Sequence, residues 1–149
     1  MEESIFRERL SKARERKGWS IDEAATRVAA NSIINRASYY DVELCEGDLT
    51  GCCSLNQILS ICKLLDIHPH DLFCEEKTKI ISISEVVDKI KAHCAKKGIS
   101  TGEFEEIAGW RVENCLINPA NALQEWNVDC LVDVCRELNI NWRFVVAGL

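Results

Sequence analysis

The sequence predicts an all-α chain made of two tandem compact helical domains packed together, residues 1–76 and 77–149. Three observations lead there. Apolar residues recur at helical spacing along the whole chain, the alternation of a half-buried strand is missing, and one block of sequence is written twice. Lys17-Gly18-Trp19-Ser20 aligns with Lys97-Gly98-Ile99-Ser100 at an offset of 80. Further on, Leu55, Ile58, Leu59, Ile61, Cys62, Leu65 and Ile67 align with Val128, Leu131, Val132, Val134, Cys135, Leu138 and Ile140 at an offset of 73. The second copy has therefore lost 7 residues between these blocks, in the stretch that contains Ser32–Gly51 of the first.

The elements follow in order. Phe6, Leu10 and Ala13 form the core stripe of a first helix, and Ile21, Ala24, Ala25 and Val28 that of a second. Ser20 with Glu23, and Ser100 with Glu103, have the spacing of capping boxes, each opening a second helix. Trp19 with Ala24, Ile99 with Phe104, and Trp126 with Leu131 around an Asn127 cap stand at hydrophobic-staple positions. Ile83, Val86, Val87 and Ile90 open the second copy after a short Cys74–Ile81 connection without Gly or Pro, so close packing of the copies is expected. Pro69 and Pro119 fall at expected helix ends, the latter stopping a helix that begins near Trp110. The expected core includes Ala25, Val28, Leu55, Ile58, Leu59, Leu65, Leu131, Val134 and Leu138.

Composition narrows the function classes. At 149 residues and 47% hydrophobic the chain can bury one good core or two small ones. No apolar run approaches the roughly 20 residues of a membrane span, and the opening Met-Glu-Glu-Ser lacks a signal peptide's features, so a cytoplasmic location without membrane attachment is expected. Nine cysteines, an odd number without an export signal, read as reduced thiols.

Residues 7–73 read as Arg-x-Arg-Leu-x-x-Ala-Arg-Glu-x-Lys-Gly-x-Ser, then an Ala-containing helix, then Tyr-Tyr-Asp-Val-Glu-x-x-x-Gly, then Ser-Leu-x-x-Ile-x-x-Ile-x-x-Leu-Leu-x-Ile-x-x-x-x-Leu-Phe. This pattern resembles the Cro/repressor (XRE-like) helix-turn-helix family. The resemblance implies a compact five-helix domain whose third helix enters the major groove of DNA, and a structural ion pair between Arg14 and Glu43. The second copy reads as a degenerate version, with Cys94 in the register of Arg14.

Two features depart from a DNA reader. About four extra residues precede Tyr39 by comparison with the family spacing. The outward positions of the third helix are Asn35, Arg36, Ser38, Tyr40 and Asp41, and from Ala30 to Cys53 one Arg faces four acids, a sum of −3. That sign repels phosphates. The net charge of −6 points the same way. The expectation is therefore a non-catalytic binding protein that neutralises or regulates a protein partner, such as a basic toxin, in the manner of an immunity protein or antitoxin. Asp41, Glu46, Asp48, Tyr40 and Trp110 are its candidate contacts. The alternative is a DNA-binding transcriptional regulator using Asn35, Arg36 and Ser38.

Other constellations favour plain structural roles. The first helix carries six cations against Glu8 and Glu15, a sum of +4 that fits a solvated face. Cys62, His68, His70 and Cys74 match no strong zinc spacing, so no metal or cofactor is expected. His93 and Cys94 are adjacent and diverge around a helix, Glu105 and Glu106 read as a wet helix face, and no Gly-rich phosphate loop occurs, so no catalytic residue is expected. Trp110 and Trp142 are the tryptophans whose burial the pattern leaves open, and an exposed one would be an interface anchor.

Overall fold

A computed structural model describes residues 3–149 as twelve helices, with no strand among the described residues. They fall into two runs of six in the same order. The first run is α1 Glu3–Arg16, α2 Ile21–Ala30, α3 Arg36–Leu44, α4 Asp48–Gly51, α5 Leu55–Leu64 and α6 Pro69–Phe73. The second is α7 Ile83–Lys97, α8 Thr101–Ala108, α9 Glu113–Ile117, α10 Asn121–Glu125, α11 Val128–Glu137 and α12 Trp142–Ala147. No helix is long and apolar enough to cross a membrane.

Local chemistry repeats where the sequence repeats. Gly18 and Gly98 end α1 and α7 with φ of 75° and 63°, the left-handed conformation that glycine adopts without a Cβ penalty. Asp66 and Asn139, 73 residues apart, take φ of 53° and 55° after α5 and α11. The lost residues are shared among three places: α8 is shorter than α2, the α8–α9 turn is shorter than the α2–α3 turn, and α9 is shorter than α3.

Several local expectations need correction. Ser20 caps α2 by accepting from Glu23 N, but the reciprocal half of the box is absent, because the Glu23 carboxylate turns forward to Arg27 at 2.9 Å. Complete boxes form at Ser100–Glu103 and also at Ser54–Gln57 and Ser82–Glu85. The helix expected from Trp110 begins only at Glu113, since Trp110 belongs to the preceding turn and donates its indole N–H to Asp133 Oδ2 at 2.8 Å. Of the expected core, Leu59 and Leu138 are only half-buried, and Leu59 borders a shallow recess with Ile83, Pro119 and Leu123. The other seven are buried.

The two runs pack with reciprocal contacts: α4 lies on α11 as α10 lies on α5, and α6 meets α12. A two-fold-related pair makes contacts of this kind. Backbone bonds tie the seam, with Leu55 N donating to Trp126 O at 2.8 Å and Ile81 N to Phe144 O at 2.9 Å. Asn127 caps α11 with its Oδ1 and donates its Nδ2 to Gly51 O at 2.8 Å, so one side chain starts a helix and joins the halves. Phe6, Phe73 and Trp142 meet edge-to-face with centroids 5.0–6.1 Å apart, joining α1, α6 and α12. One continuous core results.

Candidate functional site

The candidate residues gather around α3, and its inner face explains how α3 is held. Tyr39, Val42 and Glu43 are buried. The Glu43 carboxylate accepts from Arg14 Nε at 2.7 and 3.0 Å and from Ser11 Oγ at 2.6 Å, while Arg14 Nη1 donates to Trp19 O at 2.8 Å. Nearly dry surroundings and the Glu43 negative charge push the Tyr39 phenol well above its usual range. The bond to Glu43 likewise raises Arg14. One of the four acids between Ala30 and Cys53 is thus neutralised inside the fold.

On the outer face, Asp22 of α2 controls the first turn of α3. It pairs with the Arg36 guanidinium, which also donates to Thr26 Oγ1 at 2.8 Å, and it accepts from Tyr40 Oη at 2.7 Å. That bond to Asp22 raises the Tyr40 phenol. Asn35 caps α3 by accepting from Ser38 N at 2.8 Å, which occupies its amide oxygen. The only cation of α3 is therefore folded back onto an acid of its own chain, and Tyr40 is drawn away from Asp41 towards α2.

Beyond that turn the surface is acidic. Asp41, Cys45 and Asp48 bring a carboxylate oxygen or sulfur within 4.8 Å of one another, and Cys45 Sγ lies 3.6 Å from Asp41 Oδ1. These are the residues on this face that a divalent cation could bridge, although exposed acids often meet in this way without one. Cys52 adds a second thiol against Asp48. The second half contributes Asp129 of α11: a Cβ placed on Gly51 would meet its Oδ2 at 3.0 Å. A groove of about 430 Å³ runs along this face and is lined by Asn35, Ser38, Asp41, Asp48 and Cys52. It brings Asn35 and Ser38 of one candidate set together with Asp41 and Asp48 of the other. Glu46 is exposed on the α3–α4 turn beside it. Trp110 is elsewhere: half-buried, it lines a larger cleft between the halves together with Trp142. Asp129 was missed by sequence reasoning because its proximity depends on how α11 docks on α4, which no local pattern encodes.

The metal set weighed from sequence does not converge. Cys62 is core, His68 Nδ1 accepts from His70 N to cap α6, and His70 is engaged by Asp71 and Glu76 O.

Thiol chemistry gives a direct probe of this face. Cys45 and Cys52 are exposed, whereas Cys53, Cys62 and Cys135 are buried and pushed up to about 12. Local desolvation and the Asp41 charge raise the Cys45 thiol. Because the thiolate is the nucleophile, a raised pKa leaves less of it at neutral pH and slows alkylation. Cys45 and Cys52 are expected to react first with iodoacetamide, and Asp41→Asn to speed Cys45 at fixed pH by removing a repulsive charge. Peptide mapping after timed labelling checks this; faster labelling of Cys53 or Cys62, or no response to Asp41→Asn, contradicts the geometry.

The chain matches no protein-family model, and no curated protein or solved structure is significantly similar to it.

Proposed function

We propose that this chain is a non-catalytic binding protein whose acidic face docks a basic protein partner, in the manner of an immunity protein or antitoxin. The observation that supports this reading best is the closure of Arg36 onto Asp22 beside the convergence of Asp41, Asp48 and Asp129. A DNA-reading helix needs cations aimed outward at phosphates and base edges. Here the helix in that position pairs its one, exposed Arg with Asp22 of the same chain and presents carboxylates, which suit lysines and arginines of a partner and steer it by charge. Asp41, Glu46 and Asp48 are the primary contacts, Asp129 extends them into the second half, and Tyr40 flanks them.

A DNA-binding regulator of the Cro/repressor type is the second reading. What favours it is the close packing of α2 on α3 across the 31–35 turn, which leaves Asn35 and Arg36 exposed at the start of α3.

Co-expression with the products of neighbouring genes separates the two. Asp41→Lys, Glu46→Lys and Asp48→Lys combined are expected to weaken a basic partner's binding by about 2 kcal/mol or more, roughly 30-fold, measured by calorimetry. Fluorescence anisotropy with pooled upstream DNA at low salt is expected to show only weak, sequence-indifferent binding. A tight complex with one duplex that Arg36→Ala abolishes would overturn the first reading and establish the second.

A further inference from the structure

A cleft of about 1150 Å³ lies between the two halves and shares only Asp129 with the residues proposed to dock a partner. Its walls come from α1, the 74–79 connection, α11 and α12. At one end two guanidiniums converge from different halves. Arg9 Nη1 of α1 donates to Leu72 O at 3.1 Å, and Arg143 Nε of α12 donates to Phe73 O at 3.2 Å. These successive carbonyls close the C-terminus of α6, where cations are favoured, so both arginines are held without spending all their donors. Arg143 stacks over the Trp142 ring with 4.7 Å from guanidinium carbon to ring centre, and it forms no ion pair among the described residues.

A separate observation points to the same cleft. Thr78 lines it, and its hydroxyl oxygen is buried with no hydrogen-bond partner among the described residues. A buried hydroxyl without a partner is a cost that folding normally avoids. Lys77 and Lys79 flank it and are exposed. The cleft also has four acids. Glu75 approaches Arg9 at 3.5 Å, and Asp133 is engaged by Arg136 at 3.0 Å and by Trp110. Glu76 remains, and Asp129 belongs to the side over Gly51. Around α6 and α12 the unmatched charge is therefore positive, in a protein whose net charge is −6.

We infer that this cleft binds a small organic oxyanion bearing a flat ring, with its phosphate or carboxylate held by Arg143, Arg9 and the Thr78 hydroxyl and its ring against Trp142. Guanidinium forks match such oxyanions, and clefts between domains of this size commonly hold ligands.

Calorimetry and tryptophan fluorescence on the full chain test this with adenosine monophosphate, indole-3-acetate, adenosine and inorganic phosphate. At least one ringed anion is expected to bind with a Kd below about 1 mM, with adenosine and phosphate each roughly tenfold weaker; which ringed anion binds tells phosphate from carboxylate. Arg143→Gln should weaken binding about tenfold or more, the scale of a lost charged hydrogen bond. Because Arg143 also closes α6, Lys77→Gln with Thr78→Val supplies a variant at the connection, expected to weaken binding several-fold with a melting temperature no lower than the parent's. No binding of either ringed anion at about 1 mM, adenosine binding as well as its phosphate, or affinity indifferent to all these substitutions overturns the proposal. The charge-reversed acidic face should bind the anion normally, so failure here and failure of the partner reading are separate results.

Discussion

Glu43→Ala is expected to cost about 3–5 kcal/mol of stability, the scale for breaking a buried ion pair. The Glu43 side chain is 1% exposed and Arg14 13%, so neither charge can fall back on water when its partner is removed. Alanine at 43 leaves the Arg14 guanidinium with only Trp19 O at 2.8 Å and strands the Ser11 hydroxyl as well. The loss should loosen α1 from α3 and with it the surface that carries Asp41. Arg14→Met should be nearly as costly, because it isolates the carboxylate instead. The double variant Arg14→Met, Glu43→Met should recover most of the loss, since two apolar side chains of suitable volume leave no charge behind. Urea unfolding of the four proteins gives the coupling directly. A cost below about 1 kcal/mol for Glu43→Ala would mean that the pair is solvated like a surface bridge.

The same pair shows how much of the molecule was legible in its sequence and why. The all-helical fold followed from periodicity, because apolar spacing, Gly18 and Gly98, and the serine caps are local signals that each act within one or two turns. Ser20 shows the limit of such signals: whether Glu23 closes the box depends on a competing Arg27 one turn ahead. Leu59 and Leu138 continue apolar stripes, yet both are half-buried, because the stripe fixes the direction of a side chain and the neighbouring helix decides whether anything covers it.

The site was less legible. Its acidic sign could be read from residues 41–48, but the sum of −3 counted Glu43, which the fold neutralises. The fate of Arg36 depends on Asp22 across the α2–α3 turn, and that of Asp129 on the docking of one half on the other. Trp110 and Trp142 left their burial open for the same reason, and both line the cleft at the seam. Long-range placement, more than residue type, separates what was read from what was missed.

Trp126→Ala is the second large effect expected, again about 3–5 kcal/mol. Trp126 is the largest fully buried side chain and is 1% exposed at the seam, where its carbonyl accepts from Leu55 N of the other half. Alanine keeps that backbone bond but empties the space the indole fills between α10, α11 and the first half, and a close-packed core closes such a void only in part. Its indole N–H is buried with no partner among the described residues, so the residue contributes through volume and not through polarity. Trp126→Phe should therefore cost far less, about 1 kcal/mol, because the smaller ring gives up some contact while an unsatisfied donor disappears with it. Urea titrations followed by circular dichroism should show one transition for the parent and for Trp126→Phe, and an earlier or divided one for Trp126→Ala if the seam is what couples the halves. Equal losses for Phe and Ala would show that the indole N–H has a partner, in which case polarity and not volume holds the seam together.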